Sequence, residues 1–153
     1  MIAFAKTIDT AIDPLRSFAN NIGAPLFDLA ARLYVANAFF KSGMIRLGDF
    51  INGNFDRQIF LFELEHPVPG LSPDIAAYGA TAGEIILPVL LVFGLFGRFA
   101  AAGILAMTAV IELTYIHSAE HILWAFLAAS ILIKGPGAFS VDHLLRRFLR
   151  TKS

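Results

Sequence analysis

Tyr78-Gly79-Ala80-Thr81-Ala82-Gly83-Glu84-Ile85-Ile86-Leu87-Pro88-Val89-Leu90-Leu91-Val92-Phe93-Gly94-Leu95-Phe96 decides how the rest of the chain is read. Extended back to Ile75, the run holds 22 residues and one charged side chain, Glu84, near its middle. At about 1.5 Å per residue a helix of that length reaches about 33 Å, enough to cross a hydrocarbon layer of about 30 Å. The alternative is the central helix of a soluble bundle. Composition decides between them. Hydrophobic residues make up 57% of the 153 residues and charged residues only 16%, against about 25% charged in a soluble domain, and the mean hydropathy is +0.68. Fifteen Phe need more interior than a soluble domain of this size provides. The chain reads as one membrane domain over residues 1–153, with the lipid bilayer as its surroundings.

The formal net charge is zero, which favours neither nucleic acid nor an acidic partner. Cysteine is absent, and with it go thiolate nucleophiles, iron–sulfur ligation and cysteine-based zinc sites. A redox role would need an organic cofactor, a His/carboxylate metal or a partner subunit. No apolar run precedes Asp9 and Asp13, so a cleavable signal peptide is not expected.

Working outward, four spans are expected near 26–45, 75–96, 99–116 and 118–134, joined by an outer loop over 46–74. The second and third are separated by only Gly97-Arg98, which predicts an antiparallel pair. The fourth is short and reaches a membrane length only with its polar flanks. Gly79 and Gly83 form a GxxxG pair that lets a neighbouring helix, or a second copy in a homodimer, approach closely. Before the spans, apolar residues from Ile2 to Phe18 recur at helical spacing and predict an amphipathic interfacial helix, restarted at Asp13-Pro14 and ended by a turn at Asn20-Asn21-Ile22-Gly23. After them, Gly135-Pro136-Gly137 leads to a basic amphipathic tail suited to anionic lipid. The fold class is thus an all-α membrane protein: a four-transmembrane-helix antiparallel bundle with an N-terminal amphipathic helix and a basic C-terminal tail.

Lys6, Arg16, Arg98, Lys134, Arg146, Arg147, Arg150 and Lys152 collect on one side of such a bundle, and only Arg46 and Arg57 on the other. This places both termini in the cytoplasm and His66, His117 and His121 outside, at a bacterial plasma membrane.

The candidate chemistry lies in the polar groups of the spans. Asp28 and Arg32 stand at i, i+4 in the favourable order for a local pair. Tyr34, Asn37 and Lys41 share one face at i, i+3 and i+7, and a polar stripe on a spanning helix is expected to face the bundle interior. Lys41 is expected to pair with Glu84 or Glu112, giving a buried charge and proton relay of Lys41, Glu84 and Glu112 in an outward-opening polar pocket. A register-fixing role for the same charges is the other reading. Arg32, Tyr34, Asn37, Tyr115 and Trp124 are the candidate ligand-binding residues, and Phe39 and Phe40 add flat apolar walls of the kind a quinone ring needs. His117 and His121 stand one helical turn apart, a spacing that can hold a first-row metal, although such pairs are more often solvated. Within the outer loop, Phe55 to Leu64 mixes aromatic and charged residues and reads as a surface helix or a lid over the site.

Arg32-Leu33, Phe39-Phe40-Lys41-Ser42-Gly43-Met44-Ile45-Arg46, Glu84, Gly94-Leu95-Phe96-Gly97-Arg98, Phe60-Leu61-Phe62-Glu63 and Gly135-Pro136-Gly137 together resemble the DoxX family over about residues 27–147. The resemblance implies a small four-helix integral membrane protein, related to the membrane subunit of thiosulfate:quinone oxidoreductase, and singles out Arg32, Lys41, Glu84 and Arg98. Arg46 stands where the family usually has a lysine after the first-helix glycine. The implied role is the membrane subunit of a redox system, quinone-linked and served by a soluble redox subunit. The alternative is a non-enzymatic anchor or a small-solute or metal carrier.

Overall fold

A computed structural model describes residues 2–65 and 67–151, with side chains from Asp9 onward. His66, the Lys6 side chain and Lys152 lie outside the described residues. Among those described there are helices and no strands: α1 (Ile2–Phe18), a π-helical segment (Ala19–Gly23), α2 (Ala24–Ile51), α3 (Asp56–Leu64), α4 (Pro73–Phe93), α5 (Gly97–Thr114), α6 (Ala119–Lys134) and α7 (Val141–Thr151).

Two expectations about the N-terminal third are corrected. Pro14 lies inside α1 rather than restarting a helix. Asn20 to Gly23 do not turn the chain; Phe18 and Ala24 on either side are both right-handed helical, so the π-helical segment joins α1 to α2. Asn and Gly favour turns only where tertiary contacts do not hold them helical. α2 then runs to Ile51, beyond the expected end at 45, and carries Arg46 with it.

α4 is bounded by its own chemistry. Pro73 occupies its first turn after extended Ser72, and Gly94, left-handed at φ 63°, accepts the role no side-chain-bearing residue takes easily. Ser118 caps α6 by accepting a hydrogen bond from the Glu120 N–H at 3.2 Å. α2 packs on α4, α4 on α5, α5 on α6 and α6 back on α2, a closed four-helix ring. Its core is Val35, Phe39, Leu91, Ala100, Ile104, Ala128 and their neighbours. Arg32 meets the last turn of α4 while Gly43 meets Glu84 in the middle of it, so α2 and α4 run antiparallel.

Gly43 marks the closest helix approach. A Cβ placed there would stand 2.9 Å from the Glu84 backbone carbonyl. Pro88 has no N–H to offer that carbonyl within α4, and Gly43 packs on the peptide left open. The expected GxxxG pair is less central: Gly83 packs on Met107, while Gly79 has nothing within 4 Å of a Cβ position.

Two helices of the described residues, α4 and α5, are long and apolar enough to cross a membrane. α2 carries Asp28, Arg32, Lys41, Arg46 and Asp49 along its length, and α6 has 16 residues. Most of the apolar surface of α4 and α5 faces outward: Ile86, Val92, Phe93, Phe99 and Leu113 are exposed. The core helix of a soluble protein buries such residues; a bundle that presents them has an apolar exterior.

Candidate functional site

The two ends of the bundle hold different chemistry. At the end where α4 turns into α5, three charged side chains, Arg32, Arg98 and Asp142, close helix termini. The Arg32 guanidinium is fully buried and donates to the carbonyls of Leu91 at 3.1 Å and Phe139, with Val92 at 3.5 Å. Arg98 donates to the Ile133 carbonyl at the last turn of α6 at 3.2 Å. The Asp142 carboxylate accepts from the Phe96 and Gly97 N–H groups at 2.9 and 2.8 Å, closing the start of α5 where Phe96 is held left-handed at φ 48°. The signs follow the helix dipole, with cations at C-termini and an anion at an N-terminus. Helix ends leave such backbone groups without an intrahelical partner, and here side chains take them. Glycines admit the contacts: a Cβ on Gly94 would strike Arg32, and one on Gly137 would strike Asp28.

The other end holds a cavity of about 510 Å³, open on one side, between α2, α4, α5 and α6. Phe62 of α3 and Val68 and Leu71 of the following loop line it as well. Two polar poles face this mostly apolar space. The first is a buried ion pair, Arg46 Nε to Glu84 Oε2 at 3.0 Å, with side chains 16% and 3% exposed. Ser42, one turn before Arg46, bonds the same carboxylate. Arg46 also donates to Gln58 at 3.0 Å, Gln58 donates to Asp49 at 2.6 Å, and the guanidinium stands 5.0 Å from the centre of the Phe62 ring. Each member of the pair thus has a second polar partner, Gln58 for Arg46 and Ser42 for Glu84, as a buried charge requires.

The second pole is His121. Its Nδ1 lies 2.7 Å from Glu112 Oε2, and the other oxygen of that carboxylate lies 2.8 Å from His117 Nδ1. His121 is 9% exposed and lines the cavity, whereas His117 is 85% exposed. One carboxylate therefore links a solvent-facing imidazole to a cavity-facing one. Trp124 stands beside His121, ring centres 5.1 Å apart, and meets Phe39 edge-on at 5.4 Å. Among the described residues no group of three or more His, Asp or Glu side chains is arranged to hold a metal ion.

The cavity brings together Glu84, Tyr115, Trp124 and His121 of the residues singled out in the sequence, with Glu112 behind His121. It does not include Arg32, Tyr34, Asn37 or Lys41. Tyr34, Asn37 and Lys41 do share a face, but it is the exposed one. Lys41 is accordingly not the partner of either acid: Glu84 pairs with Arg46, and Glu112 with the two histidines. Phe40 is exposed as well. Arg46, Ser42 and Gln58 were missed as site residues. The one signal for Arg46 was its place in the family-like segment after Gly43.

The DoxX family model matches residues 27–117. An uncharacterized protein of Haemophilus influenzae is 27% identical over 147 residues, covering 86% of this chain and 91% of that protein. No solved structure matches.

Proposed function

The chain belongs to the DoxX family, and from that premise we propose that it is the integral membrane subunit of a redox system, binding a quinone in the cavity between α2, α4, α5 and α6. In this reading all four helices cross a bacterial plasma membrane, α1 lies in the interface, and both ends of the chain face the cytoplasm. The apolar exterior and the gathering of Arg16, Arg98, Lys134 and the α7 arginines at one end support that orientation.

The observation that carries the proposal is a mostly apolar cavity with a polar group at each of two places on its wall. About 510 Å³ lies within the range of small-molecule sites, and Phe39 and Trp124 supply flat walls. A quinone there would supply a two-electron, two-proton acceptor. Arg46 and Ser42 offer hydrogen-bond donors at one pole, with Glu84 holding the guanidinium in place. His121 offers an imidazole at the other, and the His117–Glu112–His121 chain would connect it to the outer solution. With no cysteine in the chain, electrons would come from a soluble partner subunit.

Purification in mild detergent followed by solvent extraction tests this. Quinone near one per chain is expected from the wild type, falling at least fivefold in Ala80→Phe, which fills the cavity. Background quinone in both would overturn the proposal and favour an anchor or carrier.

A further inference from the structure

α7 contributes nothing to the cavity, yet its pattern is the most sharply divided of any helix. At about 100° per residue, Val141, Leu144, Leu145, Phe148 and Leu149 fall on one arc of about 140°, and His143, Arg146, Arg147 and Arg150 on the opposite one. The chain buries none of these residues, and Leu144 and Leu149 are each more than 60% exposed.

The start of α7 is nevertheless fixed. The Asp142 N–H donates to the Gly94 carbonyl at 3.0 Å while its carboxylate caps α5, and the His143 N–H donates to Ser140 Oγ at 3.2 Å. α7 therefore leaves the bundle at the α4–α5 turn, where Phe96, Phe99 and Phe139 are exposed too. α7 thus begins beside an apolar rim of the bundle. With the Asp142 carboxylate committed to the α5 terminus, the three arginines of α7 have no acid on their own helix to offset them.

We infer that α7 lies in the headgroup layer of the leaflet at this end of the bundle. Its apolar arc enters the acyl chains, and Arg146, Arg147 and Arg150 bind the phosphates of anionic phospholipids. The chemistry is that of an interfacial amphipathic helix, where apolar burial and attraction to acidic headgroups act together. The inference rests on the membrane reading but not on the quinone one.

The chain has no cysteine, so single substitutions can be spin-labelled without background. Labels at Leu149→Cys and Arg147→Cys, with Ile86→Cys on the exposed face of α4 as control, are compared in nanodiscs of phosphatidylcholine with and without one-quarter phosphatidylglycerol. In the acidic discs, position 149 is expected to favour oxygen over a water-soluble nickel reagent at least threefold more than position 147. That contrast should fall by half or more in neutral discs, and likewise when the remaining α7 arginines are changed to Gln. Equal nickel access at 147 and 149 in acidic discs, with 86 oxygen-rich, would overturn the docking of α7 alone. Shielding of 149 from both reagents would overturn it in favour of a protein partner. Nickel access at 86 would overturn the membrane reading beneath it.

Discussion

Replacing Arg46 by Met strands the Glu84 carboxylate, 3% exposed, in the wall of the bundle. Breaking a buried pair by removing one partner costs about 3–5 kcal/mol, while replacing both by apolar residues is often close to neutral. Unfolding in detergent should therefore show a large loss for Arg46→Met and recovery of most of it in Arg46→Met/Glu84→Leu. A double variant as unstable as the single one would mean that the pair does not act as a unit. Glu84 itself was legible as the lone charge in an apolar run. Its partner was not, because Arg46 lies past the apolar part of α2, in a last stretch that packs on α4 and α3. Lys41 misled for a related reason. Spacing correctly groups it with Tyr34 and Asn37, but lipid is as apolar as the interior, so periodicity says which residues share a face without saying which face points inward.

At the scale of elements, α2 and α4 are held together at Gly43. Gly43→Ala places a methyl group 2.9 Å from backbone atoms of Glu84, and overpacking of this kind costs about 1–3 kcal/mol. Gly48 lies on the same helix with open space around it, so Gly48→Ala should instead stabilise by about 0.5–1 kcal/mol. Opposite shifts in melting temperature are the expected result. The approach was not visible in the sequence, where the GxxxG pattern drew attention to α4 while the contact is made by one glycine of α2 against an opened peptide beside Pro88. The Gly94-Leu95-Phe96-Gly97-Arg98 segment was visible as a motif, but its role was not. Arg32, Arg98 and Asp142 act on helix ends that lie far from them in sequence, and no local pattern records which end a charged side chain will cap.

For the whole molecule, the helical class and the α4–α5 hairpin followed from hydropathy and a short connection, and the site followed only in part. Tyr115, Trp124 and Glu84 meet the cavity as the aromatic and acidic residues of a binding site would, whereas the His117–Glu112–His121 chain depends on how α5 and α6 join. The central proposal is that this cavity receives a quinone. Trp124 lines it and is the single tryptophan of the chain, so its fluorescence reports on that space alone. Titration of a short-chain quinone into the detergent-solubilised protein should quench Trp124 saturably in the wild type, with the saturable component lost in Ala80→Phe. Quenching that rises linearly without saturation, and equally in both proteins, would contradict it.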